Sequence, residues 1–383
     1  IGPLKNLTAD PGNSHLGLGF STELAVEISR FQEIKTLYDP EGKTVFNSPG
    51  NPRFAIDGTV CKDHNGIKVC LYLTDTKTGR QIWSDTHQCK HTAQQLIAFQ
   101  EEVARQVAVK IADDHGVISR NLSPESRQKA PAELSTYEAI LRYYEFDQSW
   151  LPQNMVNAME TLHHAVAREP SCGQVWTLLG RLYATIYALD FDGSEQTLEK
   201  AVTFAHKGAG IDPNSQRAWG TLALVHLFSN ELPAARREAD RALALNPNSL
   251  MTIDGLGYIM TLLGEWENGP ALIRKSIENN PYYRNEIHYA LWVDYLRCQD
   301  FENAYAETLK LQWQDIFWYP LARASTLGLL GRIDEGQKYV EKLIKQKPDF
   351  RDKGRDLIER YIKFDEIVEQ VVNGLNKTGL TLE

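Results

Sequence analysis

Three prolines, Pro213, Pro247 and Pro281, stand 34 residues apart, and each closes a similar phrase: GAGIDP, ALALNP and IENNP. A fixed period of this length implies a unit that buries its apolar face only against the next copy of itself. Pro170 lies 43 residues before Pro213, one unit plus nine residues inserted around ALDFDGSE; Pro348 lies 67 after Pro281, two units less one residue, with the intermediate proline missing near Gln314. In the unit ending at Pro247, Trp219, Leu222 and Ala223 precede Ala235, Ala239 and Ala242. Trp176, Leu179, Gly180 and Tyr183, with Ala201 and Ala205, repeat the pattern one unit earlier, and Leu256 and Gly257 one unit later. Ala304 and Gly331 keep the packing and turn places in the last two units. Small residues at these positions let two helices approach closely, while the larger ones fill the gap to the next pair.

Thirty-four residues is the tetratricopeptide period, so the spacing predicts about six repeats within 131–348, an all-α superhelix. Residues 349–383 carry the stripe Leu357, Tyr361, Phe364, Ile367 and Val371 at helical spacing. A solenoid end exposes an apolar face, so this segment is expected to be a C-terminal capping helix or helix pair.

Residues 1–130 read differently. Ile1-Gly2-Pro3-Leu4 has the character of the end of a strand, as if the chain started inside a longer polypeptide. Phe20, Leu24, Ile28 and Phe31, with Ala25 beside them, predict a first helix with Ser21 as its cap. Glu33 to Leu37 alternates as a short strand, and 40–52 reads as loop. FAIDGTVCKDHNGIKVCLYLTD and TKTGRQIWSDTHQ predict three strands, the first two joined by an Asn65-Gly66 turn. Val60, Val69, Leu71 and Leu73 then share one face. Leu96, Phe99, Val103, Val107 and Ile111 predict a helix to cover it, which gives a small α/β sheet domain and an α+β chain overall.

The order NLTADPGN, GFSTELAVEISRF, FAIDGTV, LTDTKTGRQIWSDT, LIAFQEEVARQVA resembles the TolB amino-terminal-like domain over about 115 residues. Such domains stand before tetratricopeptide repeats in bacterial adenylate cyclases and in winged-helix regulators of the CadC and HilA type. The terminal NGLNKTGL is similar to the ends of cyclase-linked repeat proteins. One departure is the short EGKTVFNSPGNPR, where a further helix is usual. The resemblance implies a signalling context, with an output domain outside this chain.

The net charge of −9 argues against a nucleic-acid binder, which needs a basic excess to displace phosphate counterions. Residues 1–130 hold 15 basic and 15 acidic side chains, so the whole −9 resides in the remaining 253, which suits a basic or amphipathic partner. No apolar run reaches the roughly 18 residues of a membrane span, so a soluble region is expected, cytoplasmic, or periplasmic if a transmembrane segment lies upstream. The sequence holds no GxxxxGK[ST], HExxH, GxSxG or CxxC pattern, so neither enzyme activity nor a cofactor or metal is predicted.

Projecting the repeat register onto the inner face of the superhelix gives a candidate partner-binding groove of Arg181, Arg217, Leu224, Phe228, Asp254, Tyr258, Tyr289, Val293 and Arg297. The alternative for several of them is packing against the cap or the amino-terminal domain. Trp313, Trp318 and Tyr319 form an aromatic cluster, either core or partner anchor. With Asn65-Gly66 as a two-residue turn, Cys61 falls opposite Cys70, either as a disulfide in an oxidising compartment or as two reduced thiols. His163-His164 face different directions, Glu101-Glu102 and Asp113-Asp114 read as solvated helix faces, and Gly17-x-Gly19 reads as turn geometry rather than an anion cradle. The expected function is a non-catalytic sensory or protein-interaction region that binds a peptide or protein, with homo-oligomers possible in principle. An assembly scaffold or adaptor without signalling output is the competing reading.

Overall fold

The computed structural model describes residues 1–8, 15–31, 34–42, 52–63, 66–90, 93–113, 116–127, 129–191, 196–247, 249–280 and 283–382. Asn65, Asp114, His115, Pro281 and most of the 40–52 loop lie outside them. The chain divides into two compact units, Ile1–Glu125 and Ser126–Glu383.

In the first unit, strands β1 (Lys5–Asn6), β2 (Phe54–Asp63), β3 (Gly66–Asp75) and β4 (Arg80–Cys89) form a sheet in that order, β1 parallel to β2 and the others antiparallel. Alternation puts Val60, Ile67, Val69, Leu71 and Leu73 on its buried face. Helices α1 (Leu16–Ser29) and α2 (Ala93–Ala112) add Phe20, Leu24, Ile28, Val103, Val107 and Ile111 to the core, followed by α3 (Val117–Ser126). Phe20 meets Phe99 edge to face at 5.8 Å.

Several expectations are corrected here. Ser21 does not cap α1: the helix begins five residues earlier, and the buried Ser21 hydroxyl donates to the Gly17 carbonyl and accepts the Leu4 amide. Gly17 and Gly19 are helical. A Cβ on Gly17 would overlap the Leu4 carbonyl, so close backbone approach explains the glycine. Residues 34–39 form no strand; Ile1 donates to the Leu37 carbonyl and accepts the Asp39 amide, while the Ile34 amide turns back to the Phe31 carbonyl. The strand begins after Leu4, at Lys5.

The Cys61–Cys70 opposition is also corrected. Asp63 pairs with Gly66, so the turn is centred one position earlier than Asn65-Gly66; Cys61 stands opposite Lys68, and Cys70 opposite Thr59. Shifting a turn by one residue moves every opposite pair by two, which separates the cysteines. Both are free thiols.

The second unit is a tetratricopeptide superhelix. Its helix pairs are α4 (Thr136–Ser149) with α5 (Pro152–Arg168), α6 (Gly173–Ala188) with α7 (Gln196–Ile211), and α8 (Gln216–Phe228) with α9 (Leu232–Leu245). They continue with α10 (Leu250–Leu262) and α11 (Asn268–Asn279), α12 (Ile287–Arg297) and α13 (Phe301–Lys310), and α14 (Trp318–Leu329) and α15 (Ile333–Gln346). Two devices recur. Trp176 and Trp219 each donate an indole hydrogen bond to the proline that closes the previous unit, Pro170 at 2.9 Å and Pro213 at 2.8 Å, and carry a cation over the ring, Lys207 and Arg241. Every turn inside a pair holds a left-handed residue: Trp150, Asp190, Asn230, Gly264, Gln299 and Gly331. In the last five of these turns that conformation sends the next amide back onto a carbonyl of the ending helix, while after Trp150 the Leu151 amide donates to the Ser149 hydroxyl.

Helices α16 (Phe350–Tyr361) and α17 (Asp365–Lys377) cap the array. α17 packs on α14 and reaches α12, whereas α16 turns back to pack on α6 and α8. A Cβ on Gly328 would overlap the Gly374 carbonyl, and one on Gly374 the Ser325 carbonyl, so α14 and α17 cross backbone to backbone.

Candidate binding cavity in the superhelix

The first helices of successive pairs form the inner face of the superhelix, and α16 lies across it. Three anchors hold α16 there. Asp190, in the left-handed turn after α6, takes Lys347 at 2.6 Å, Arg360 at 3.3 Å and Lys353 at 3.4 Å. Arg360 also donates to the Tyr187 carbonyl at 2.6 Å and lies over the Tyr187 ring. Tyr361 sits between Phe228 and Trp318, with ring centroids 5.1 and 4.8 Å away, and Phe364 meets Trp266 at 5.0 Å.

Beneath this crossing the face is not filled. A cavity of about 850 Å³, counted out to its open mouth, is lined by residues of five successive first helices, α6 to α14, and by Tyr361 and Ile362 of the cap. Its wall is mainly aromatic and aliphatic. Trp150 and Trp313, stacked 4.5 Å apart, bring the first repeat's turn and the segment before α14 together at the same wall. A mostly apolar concavity with a few placed polar groups is the usual form of a binding site.

Six of the nine groove residues line the cavity: Arg181, Leu224, Phe228, Tyr258, Tyr289 and Val293. The other three do not. Arg217 lies over the Tyr144 ring, Arg297 pairs with Asp294 at 2.9 Å and lies over Trp266, and Asp254 is fully buried against Arg284. Of the aromatic cluster, Trp313 and Trp318 reach the cavity, while Tyr319 stacks with Arg323. Outside the projected set, Thr185, Ile259, Leu262 and Trp292 line the cavity from the first helices, and Trp150, Glu286, Tyr361 and Ile362 reach it from turns and the cap.

The polar groups form a graded set. Arg284 binds Asp254 through Nη2 at 2.6 Å and Nε at 3.1 Å, and its backbone amide donates to the same carboxylate at 3.2 Å. Burial lifts Asp254 above its ordinary value although Arg284 opposes this, and the carboxylate keeps Arg284 charged. Glu286 lies 3.7 Å from both Arg284 and Arg181, too far for a hydrogen bond, and its Oε2 has no partner among the described residues. Burial, opposed by Arg284 and reinforced by Asp147, pushes the Glu286 carboxyl up to about 7. Burial also raises the phenols of Tyr258, Tyr289 and Tyr361, so they remain neutral donors. Among the described residues, no group of three or more His, Cys, Asp or Glu side chains is placed to hold a metal ion.

No protein-family model matches the chain. A protein of Rhizobium meliloti (strain 1021) named "Putative adenylate cyclase 3" is 23% identical over 249 residues, which is 61% of this chain and 40% of that protein. The chain therefore spans well under half of that relative. Among solved structures, a thermophilic TPR protein of Thermus thermophilus is similar at 21% identity, TM-score 0.36, over 47% of this chain and 94% of the other. A tetratricopeptide repeat protein from Parabacteroides merdae ATCC 43184 is similar at 15% identity, TM-score 0.36, over 63% of this chain and 98% of the other. No helix among the described residues is long and apolar enough to cross a membrane.

Proposed function

We propose that this chain is a non-catalytic sensory and protein-interaction region of a signalling protein, and that its superhelix receives a peptide in the cavity of its inner face. The observation that carries this reading is the cavity itself: it is preformed, lined by five successive repeats, and closed on one side by the chain's own cap. An occupant touches the first helices and the Tyr361-Ile362 segment together, so it favours one packing of the cap over others. A ligand moves an equilibrium only through such a difference in binding. The signalling context rests on the TolB-like order of the first 115 residues and on the name of the Rhizobium relative. The output in this reading is cyclic-nucleotide synthesis or transcription, by a domain outside this chain.

The test uses peptides selected on the purified chain from a displayed library. Thr185→Phe fills the cavity from α6 with a side chain that the apolar wall accepts. Selected peptides are expected to bind Thr185→Phe at least about tenfold more weakly than the wild type, at nearly unchanged melting temperature. Equal binding by the filled variant rejects the cavity as the recognition site.

A further inference from the structure

The cavity's polar groups are unequal in kind. Arg181 lines it with a guanidinium that donates no hydrogen bond to a described residue; among them its ion pair is with Glu286 at 3.7 Å, and the buried Asp254 acts on it from farther off. The indole N–H of Trp318, another lining residue, is buried and has no partner among the described residues. Tyr258, Tyr289 and Tyr361 add three phenols, none of which forms a hydrogen bond to another described residue. Against these donors stands a single lining carboxylate, Glu286. Arg284, the other nearby guanidinium, is already committed to Asp254. A wall that offers a fork of N–H donors, an indole N–H and phenol O–H groups, set among Leu224, Phe228, Ile259, Leu262 and Val293, is short of an acceptor and rich in apolar surface. A guanidinium matches a carboxylate in shape as well as charge, because two parallel N–H donors meet its two oxygens.

We propose that this cavity binds a carboxylate carried on a compact apolar body, with Arg181 holding the carboxylate and the aromatic wall holding the body. The inference rests on the reading of the cavity as a recognition site and names the group recognised. That chemistry has two sources, the carboxyl end of an apolar peptide or a free small acid. Glu286 then acts as a competitor for Arg181. It is faced by Arg181 from α6, Arg284 from its own turn, Asp147 from α4, Asp254 and Tyr258 from α10, Tyr289 from α12 and Tyr361 from the cap; once protonated, it leaves Arg181 to the ligand.

The experiment is calorimetric titration of the whole chain with two matched pairs: phenylacetate against phenylacetamide, and N-acetyl-Leu-Phe with a free carboxylate against its carboxamide. Near pH 6 each acid that enters the cavity is expected to bind at least about tenfold more tightly than its amide. Arg181→Gln is expected to remove the preference, Arg181→Lys to keep part of it, and Arg351→Gln on the outer surface of α16 to leave it unchanged. Affinity for the acid should fall as pH rises through about 7. A preference in the first pair alone assigns a free acid, and in the second alone a peptide end. Equal binding of acid and amide, or a preference that survives Arg181→Gln, overturns the inference and leaves the cavity standing as a recognition site. Absence of binding by all four compounds overturns it as well; the library selection then decides the broader reading separately.

Discussion

Arg284 and Asp254, 30 residues apart in sequence, meet as a water-excluded ion pair with side-chain exposures of 8% and 0% that ties the turn before α12 to the middle of α10. The contact is shaped by a glycine, because a Cβ on Gly255 would overlap Arg284 Nη2. Removing one partner strands the other charge in the core. Asp254→Ala is therefore expected to cost about 3–5 kcal/mol in urea unfolding, and Asp254→Leu combined with Arg284→Met much less than either single change. A double variant as unstable as the singles would show that the pair is net stabilising rather than merely expensive to break.

Glu286 gives a pH signature. Its carboxyl lies near 7 in the folded chain against about 4.3 unfolded, so the folded state binds the extra proton and stability falls as pH rises through that window. Glu286→Gln lacks this penalty. The stability of the variant relative to the wild type should be smallest below pH of about 4.5, grow by about 1–3 kcal/mol up to pH of about 7, and stay level above it. A difference that is flat across the range means that Glu286 titrates normally.

The crossing of α14 and α17 admits no side chain at Gly328 or Gly374. Gly374→Ala should cost about 1–3 kcal/mol or more by overpacking. Amide exchange over 365–377 should rise well before exchange in α4 to α9. Uniform exchange across the unit would mean that the crossing tolerates a methyl group.

The hairpin register can be read chemically. Lys68→Cys places a thiol directly opposite Cys61, whereas the native Cys70 faces Thr59. Mild oxidation is expected to link Cys61 to the new residue and to leave Cys70 alkylatable, as peptide mass mapping under non-reducing conditions would show. A Cys61–Cys70 bridge would restore the turn centred at Asn65-Gly66.

The period of 34 exposes the superhelix in the sequence because repeated packing forces repeated residue types, and Trp176 and Trp219 carry the same bond to the same proline in two units. The turns inside the pairs are less legible. Gly264 and Gly331 announce left-handed backbone, and Asp190 and Asn230 tolerate it through their short polar side chains, but Trp150 and Gln299 adopt it with no such preference, so there the packed helices must impose it. The cavity divides the same way. Its lining from α6, α8, α10 and α12 follows the repeat register, whereas Trp150, Trp313, Tyr361 and Ile362 arrive by chain reversal over long sequence distances, which no local pattern encodes. The cysteine pairing depended on one turn residue, and a hairpin amplifies an error of one into two.

An open array of repeats unravels from its ends, since each unit is held by its neighbours alone. Here Asp190 in the second unit is clamped by Lys347, Lys353 and Arg360, so the last helices bolt an early repeat to a late one. The line of repeats becomes a hoop. Its units lose the freedom to fray one at a time, and a truncation after Gln346, which removes Lys347, Lys353 and Arg360 together, releases Asp190 and loosens the second repeat along with the sixth.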